Sequence, residues 1–126
     1  MGKHFPSNSL EWKRPKEHDD FLTRYIEIVK ANISNPELDV SVIYEALGMS
    51  RTNFYRKVKT VTGLSPIELI KNIRLEAGAK LLKESDMNIS EIAQHIGFSS
   101  RSYFARSFKA VYGMSPTEYQ ETKSQD

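Results

Sequence analysis

The chain writes nearly the same seven letters twice, GLSPIEL at 63–69 and GMSPTEY at 113–119. Each is a helix stop fused to a helix start. Gly63 follows Phe54, Val58 and Val61, apolar at spacings of four and three, so it sits where a helix ends in a left-handed glycine cap. Leu64 supplies the apolar contact that accompanies such a cap. Ser65-Pro66-Ile67-Glu68 is a capping box, with serine as N-cap, proline at the first helical position and glutamate reaching back from the third. Gly113-Met114-Ser115-Pro116-Thr117-Glu118 repeats every element of it.

The repeat is longer than these letters. At an offset of 49, LDVSVIYEALGMS (38–50) matches MNISEIAQHIGFS (87–99), and at an offset of 50 Phe54, Arg56, Lys59, Val61, Gly63 and Pro66 recur as Phe104, Arg106, Lys109, Val111, Gly113 and Pro116. Each copy reads as a short helix, a tight turn and a longer helix. In the first, Val40, Ile43 and Leu47 lead into Gly48-Met49-Ser50 and a helix over about 51–62. In the second, Asn88 and Glu91 make a capping box and Ile89, Ile92 and Ile96 share a face. Gly97-Phe98-Ser99 then breaks the helix, and Ser99 or Ser100 caps the next, over about 100–112. Phe104, Phe108 and Val111 point inward there, while Arg101, Ser102, Arg106 and Lys109 point outward. Phe54, Phe104, Phe108, Tyr103 and Tyr112 all read as core.

From Pro66 to Glu84 the only breaker is Gly78, and Ile67, Ile70, Ile73, Ala77 and Leu81 form an apolar stripe. This predicts one connecting helix of about 28 Å at 1.5 Å per residue. Such a strut suits two readers held roughly one DNA turn, about 34 Å, apart. Upstream, Asp19 or Asp20 caps a helix whose Phe21, Leu22, Tyr25, Ile26, Val29 and Ile33 face a core. The expected fold is therefore all-α, with two helix-turn-helix subdomains joined by a long connecting helix, about seven helices in all. The divisions are a flexible lead-in over 1–18, in which Trp12 is a candidate anchor, a first subdomain over 19–65, the connector over 66–84, and a second subdomain with a short closing helix and tail over 85–126.

Charge follows the same duplication. Residues 51–63 carry four basic side chains and no acid, and residues 98–113 carry three and no acid. The acids Glu37, Asp39, Glu45, Asp86 and Glu91 lie just upstream instead. An acid-free helix repeated in register points to a polyanionic partner, double-stranded DNA. A helical interaction module for an acidic protein is the alternative.

Other chemistry is poorly supplied. With no cysteine, disulfides, thiolate zinc sites and cysteine nucleophiles are excluded. His4, His18 and His95 share no metal-ligand spacing, no glycine-rich phosphate loop or catalytic constellation stands out, and Glu68 and Glu118 are accounted for as caps. No cofactor, no metal and no enzymatic activity are expected. No apolar run is long enough to span a membrane, and the first twenty residues lack a signal-peptide core, so a cytoplasmic location without membrane contact is expected.

The connector with IRLEAGAKLL, and GFSSRSYFARSFKAVYGMSPTEY after it, resemble the DNA-binding domain of AraC/XylS-type transcription regulators over roughly residues 21–119. The EW and DDFL of the lead-in, with NPELDVSVIYEALGMSRTNFYRKVKTVTGLSP after them, further resemble the C-terminal output domain of hybrid two-component regulators of Bacteroidetes-type bacteria. The resemblance implies a monomeric domain placing two recognition helices in successive major-groove segments. Full-length regulators of this kind can dimerise, and RNA polymerase is a further candidate partner. By position, the base-facing residues are Thr52, Tyr55 and Arg56, with Arg51 at the helix entrance, and Arg101, Ser102, Ala105 and Arg106 in the second unit. Arginine can bond guanine O6 and N7 in bidentate fashion, whereas Ala105 offers only apolar contact. Lys57, Lys59 and Lys109, with the helix starts at Ser50 and at Ser99 or Ser100, are assigned to phosphates. Two departures stand out: Tyr44 where the second unit has the small Ala93, and Gly78 inside the connector, permitting either close packing or a softer strut.

Overall fold

The computed structural model describes residues 16–125. Its α-helices are α1 (Lys16–Ala31), α2 (Val40–Ala46), α3 (Arg51–Thr62), α4 (Pro66–Glu84), α5 (Ile89–His95), α6 (Arg101–Tyr112) and α7 (Pro116–Glu121), closed by a 3₁₀ turn (Thr122–Gln125). No strand occurs among the described residues. Helix α1 begins at Lys16, so Asp19 and Asp20 lie inside it rather than capping it, and 16–18 belong to the helix rather than to a lead-in. The rest of the expected lead-in, Trp12 included, falls outside the described residues.

The duplicated punctuation is built as the letters dictate. Gly63 and Gly113 close α3 and α6 at φ 76° and 80°, and a Cβ at either would be strained by the backbone alone. Ser65 and Ser115 accept from the backbone N–H of Glu68 and Glu118, and each glutamate accepts in return from the serine N–H, at 2.8–3.1 Å. Asn88 and Glu91 form a third such box at the start of α5. The two turns differ by one residue. Ser50 caps α3, whereas Ser100, not Ser99, caps α6, so the inserted residue sits between Gly97 and the cap.

Two cores form on one strut. The first joins Phe21, Leu22, Tyr25 and Val29 of α1, Val40 and Ile43 of α2, Phe54, Val58 and Val61 of α3, and Leu69, Ile70 and Ile73 of α4. Tyr25 and Phe54 stack at 5.6 Å, and the Tyr25 hydroxyl donates to the Pro66 carbonyl at 2.9 Å. Burial raises the Tyr25 phenol well above its ordinary pKa. The second core joins Leu75, Ala79 and Leu82 of α4 to Ile89, Ile92, Ala93, Ile96, Phe98, Phe104 and Phe108. Because α4 serves both cores, its buried surface does not follow one stripe. Ile67 is 66% exposed and Ala77 and Leu81 are half-buried, while Leu69, Leu75 and Leu82 carry the burial instead.

Between Ile73 and Leu75, where the cores meet, stands buried Arg74. Its Nη1 donates to the carbonyls of Ile33 and Ile96, both at 2.7 Å, and its Nη2 to that of Asn35 at 2.8 Å. One guanidinium thus satisfies chain ends following α1 and α5, where a cation also complements the helix dipoles.

Gly78 is a packing glycine. A Cβ there would lie 2.9 Å from Ile96 Cδ1 and 3.2 Å from Phe104 Cε1, so α4 approaches the second unit closely and the softer-strut alternative is set aside. Alanine would gain up to about 1 kcal/mol of helix propensity, against an overpacking cost of about 1–3 kcal/mol. We expect Gly78→Ala to lower the urea midpoint, and a raised midpoint would show that the glycine is only a propensity defect. A second expectation concerns acid. The Glu68 carboxyl is held below the usual range, chiefly by the hydrogen bond from the Ser65 backbone N–H, and Glu118 likewise by Ser115. A carboxyl whose folded pKa is depressed stabilises above its unfolded pKa, about 4.3, and loses that contribution as pH falls through the folded value. Thermal melts from pH 6 down to 3 should therefore show less acid loss for Glu68→Gln, which keeps the box without titrating, than for the parent.

Candidate nucleic-acid interface

The first candidate surface is α3, whose Phe54, Val58 and Val61 are buried and whose Arg51, Thr52, Asn53, Arg56, Lys59 and Thr60 are exposed. Ser50 Oγ accepts from the Asn53 N–H at 3.2 Å and so fixes the helix entrance. Arg51, Thr52 and Arg56 are exposed and Tyr55 half-buried. The expected base-facing set therefore lies on one outward surface. The Arg51 guanidinium lies over the Tyr55 ring at 4.7 Å, a cation–π contact one turn long. Arg56 Nη1 donates to Asn53 Oδ1 at 3.1 Å. The two lysines face elsewhere: Lys57 Nζ sits 5.0 Å over the Phe21 ring of α1, and Lys59 Nζ donates to the Gly63 carbonyl at 3.1 Å.

Helix α6 repeats the arrangement with Phe104, Ser107 and Phe108 buried. Ser100 Oγ accepts from the Tyr103 N–H at 3.0 Å, leaving exposed Ser99 in the longer turn. Arg101, Ser102, Arg106 and Lys109 are exposed and Ala105 half-buried. Tyr103 departs from expectation. It is 39% exposed rather than core, because it precedes Phe104 and so lies about 100° around the helix from it. Its ring packs on Phe98 at 5.2 Å, with Lys71 Nζ at 5.5 Å and Arg106 Cζ at 6.0 Å. Tyr112 is half-buried and stacks on Phe108 at 4.4 Å, in keeping with a packing role.

The two short helices seat differently. Half-buried Tyr44 lies 5.6 Å from Phe54 in the first unit, where the second has buried Ala93. The first pair of helices is thus wedged by an aromatic ring and the second packs close.

Three residues escaped the sequence reading. Asn53 holds Arg56 from the preceding turn, and the i, i+3 spacing was its available signal. Tyr103 was obscured by its neighbour Phe104. Arg74 was hidden in the middle of IRLEAGAKLL, where a basic residue four positions after Ile70 and between Ile73 and Leu75, on the apolar face, is the signal. Among the described residues, no group of three or more His, Cys, Asp or Glu could hold a metal, and no helix is long and apolar enough to cross a membrane.

Known proteins place this arrangement. A family model described as a Helix-turn-helix domain matches residues 43–122. Histidine kinase P4 of Formosa agariphila is 36% identical over 107 residues, covering 85% of this chain and 8% of that protein. The HTH-type transcriptional regulator MtrA of Neisseria gonorrhoeae is 34% identical over 100 residues, covering 78% of this chain and 33% of that one. The chain therefore spans a third or less of the length of these relatives. Among solved structures, the C-terminal domain of AraT, a response regulator from Geobacillus stearothermophilus, superposes with TM-score 0.71 at 31% identity, over 81% of this chain and 84% of that one. An AraC-type transcriptional regulator from Chromobacterium violaceum reaches 0.80 at 25% identity, over 88% and 98%. The DNA-binding domain of AdpA, in complex with a target DNA, shares the fold at 0.72 and 24% identity, over 86% and 94%. The chain belongs to the AraC-type helix-turn-helix family and is a DNA-binding domain of transcription regulation rather than an enzyme.

Proposed function

We propose that this domain binds one bipartite DNA site as a monomer, inserting α3 and α6 into successive major-groove segments. The observation that carries the reading is the pair of acid-free helices, presented outward on matched caps and held by one 19-residue helix. Arg56 and Arg106 read guanines, and Thr52, Tyr55, Ser102 and Ala105 make the lesser base contacts. Arg51 and Arg101 stand at the two helix entrances. Lys109 and the helix starts at Ser50 and Ser100, with Ser99 beside the latter, serve phosphates. Lys57 and Lys59 join them by leaving Phe21 and the Gly63 carbonyl. The two helices read unequally, because Arg56 is braced by an asparagine and Arg106 lies against a tyrosine ring.

The domain works as the cytoplasmic output module of a longer regulator, of the hybrid two-component type that its sequence resembles. The match to a histidine kinase over a small part of that protein's length, and the likeness to the C-terminal domain of a response regulator, support this. Dimerisation and contact with RNA polymerase fall to the longer protein.

Gel-shift titrations on a duplex selected from random DNA test the site. Arg56→Ala and Arg106→Ala are expected to cost about 1–3 kcal/mol each and to relax specificity at separate base positions. Lys109→Ala is expected to weaken all sequences alike and to lower the salt slope by about 1. If both arginine variants bound as tightly as the parent, the assignment of the base-reading faces would be wrong.

A further inference from the structure

We propose that Arg74 sets the spacing between half-sites that the domain accepts, by locking the two helix-turn-helix units together; this rests on the two-reader geometry above. Each unit packs on its own stretch of α4, and the apolar cores divide at Arg74 itself, with Ile73 in one and Leu75 in the other. Among the described residues, the half-buried Ile33 and Val111 are those that pack against both. Beyond that apolar contact, the direct ties between the units are hydrogen bonds. Arg74 grips Ile33 and Asn35 of the α1–α2 loop and Ile96 at the end of α5, and beside it Ser34 Oγ donates to the His95 carbonyl at 2.5 Å.

Space has been left for this guanidinium in one unit only. A Cβ at Gly97 would fall 1.5 Å from Arg74 Nη1 and 2.4 Å from the Ile33 carbonyl, whereas one at the equivalent Gly48 meets nothing within 4 Å. The duplication is symmetric in its caps and asymmetric here. Gly97 opens the turn that leads into recognition helix α6, so the clip holds the base of the second reader against the first unit.

The consequence for DNA is geometric. One added base pair moves a half-site by about 3.4 Å and turns it by about 35°, a displacement that two rigidly joined readers cannot follow. Loosening the clip lets each unit pivot on α4, which trades affinity at the preferred spacing for tolerance of others. Arg74 touches no DNA in this arrangement and is a positioning residue.

The test uses a duplex selected by the parent from random DNA, the same duplex with its spacer lengthened or shortened by one base pair, and a duplex with one half-site scrambled. The parent is expected to lose about tenfold or more for either spacer change, in the range of a mismatched base pair. Arg74→Lys, which keeps the charge but not the three-carbonyl grip, is expected to lose less than about threefold, while binding the single half-site as the parent does. Because the chain has no cysteine, nitroxides at Thr60→Cys and Ala110→Cys report the separation of the readers. A single narrow distance distribution is expected with Arg74 and a broadened one with Arg74→Lys. Equal spacing strictness in a folded Arg74→Lys protein overturns the clip and leaves the two-reader geometry standing. A parent that needs only one half-site overturns the two-reader geometry itself. Should Arg74→Lys not fold, Ser34→Ala removes the exposed hydroxyl that bonds the same end of α5; partial spacing relaxation supports the clip, and unchanged strictness overturns it.

Discussion

A buried guanidinium stands where two halves packed on a shared helix meet, and it bonds to both of them. Burying Arg74 is costly, and the burial draws its pKa down from the ordinary arginine value. Three carbonyls at 2.7–2.8 Å, two in the α1–α2 loop and one at the end of α5, offset that cost. The dependence runs both ways. Removing the arginine would cost the buried Ile96 carbonyl its side-chain donor, and removing the carbonyls would strand a buried charge.

The same economy of contacts explains how a small chain holds the basic faces of two helices outward. Helices α3 and α6 are each anchored by three buried side chains, Phe54, Val58 and Val61 in one and Phe104, Ser107 and Phe108 in the other, with half-buried Tyr55, Val111 and Tyr112 packed beside them, so the opposite face of each helix stays exposed. Side chains on those outward faces are organised without being buried. Arg51 rests on Tyr55, Arg56 on Asn53 and Arg106 near Tyr103, contacts that restrict the arginines while leaving them exposed. Restricting a long side chain before binding lowers the ordering cost at the interface, about 0.5–1.5 kcal/mol per side chain.

Local grammar was highly legible in the sequence. The glycine stops, the serine–proline starts, the three capping boxes and the faces of α3, α5 and α6 follow from residues a few positions apart, where periodicity and capping chemistry act. Features set by tertiary packing were not. Ile67 fits the stripe of an isolated α4 yet is exposed, because that helix turns different faces to two cores. Tyr103 looks like core by type but sits off the buried face. Whether Gly78 loosens or tightens α4 depends on Ile96 at the end of α5 and Phe104 of α6, side chains from other elements. Arg74 shows the limit most plainly: its partners lie 22 to 41 positions away in the chain and are backbone carbonyls, so no side-chain pattern could announce them.

Central to the proposed function is that two helices of one monomer read one DNA site together. Selection of bound duplexes from a random pool by the unaltered protein measures this most directly. The expected outcome is a bipartite motif whose two half-sites lie about one helical turn apart at a fixed spacing. Recovery of a single half-site, or of two at variable spacing, would contradict it.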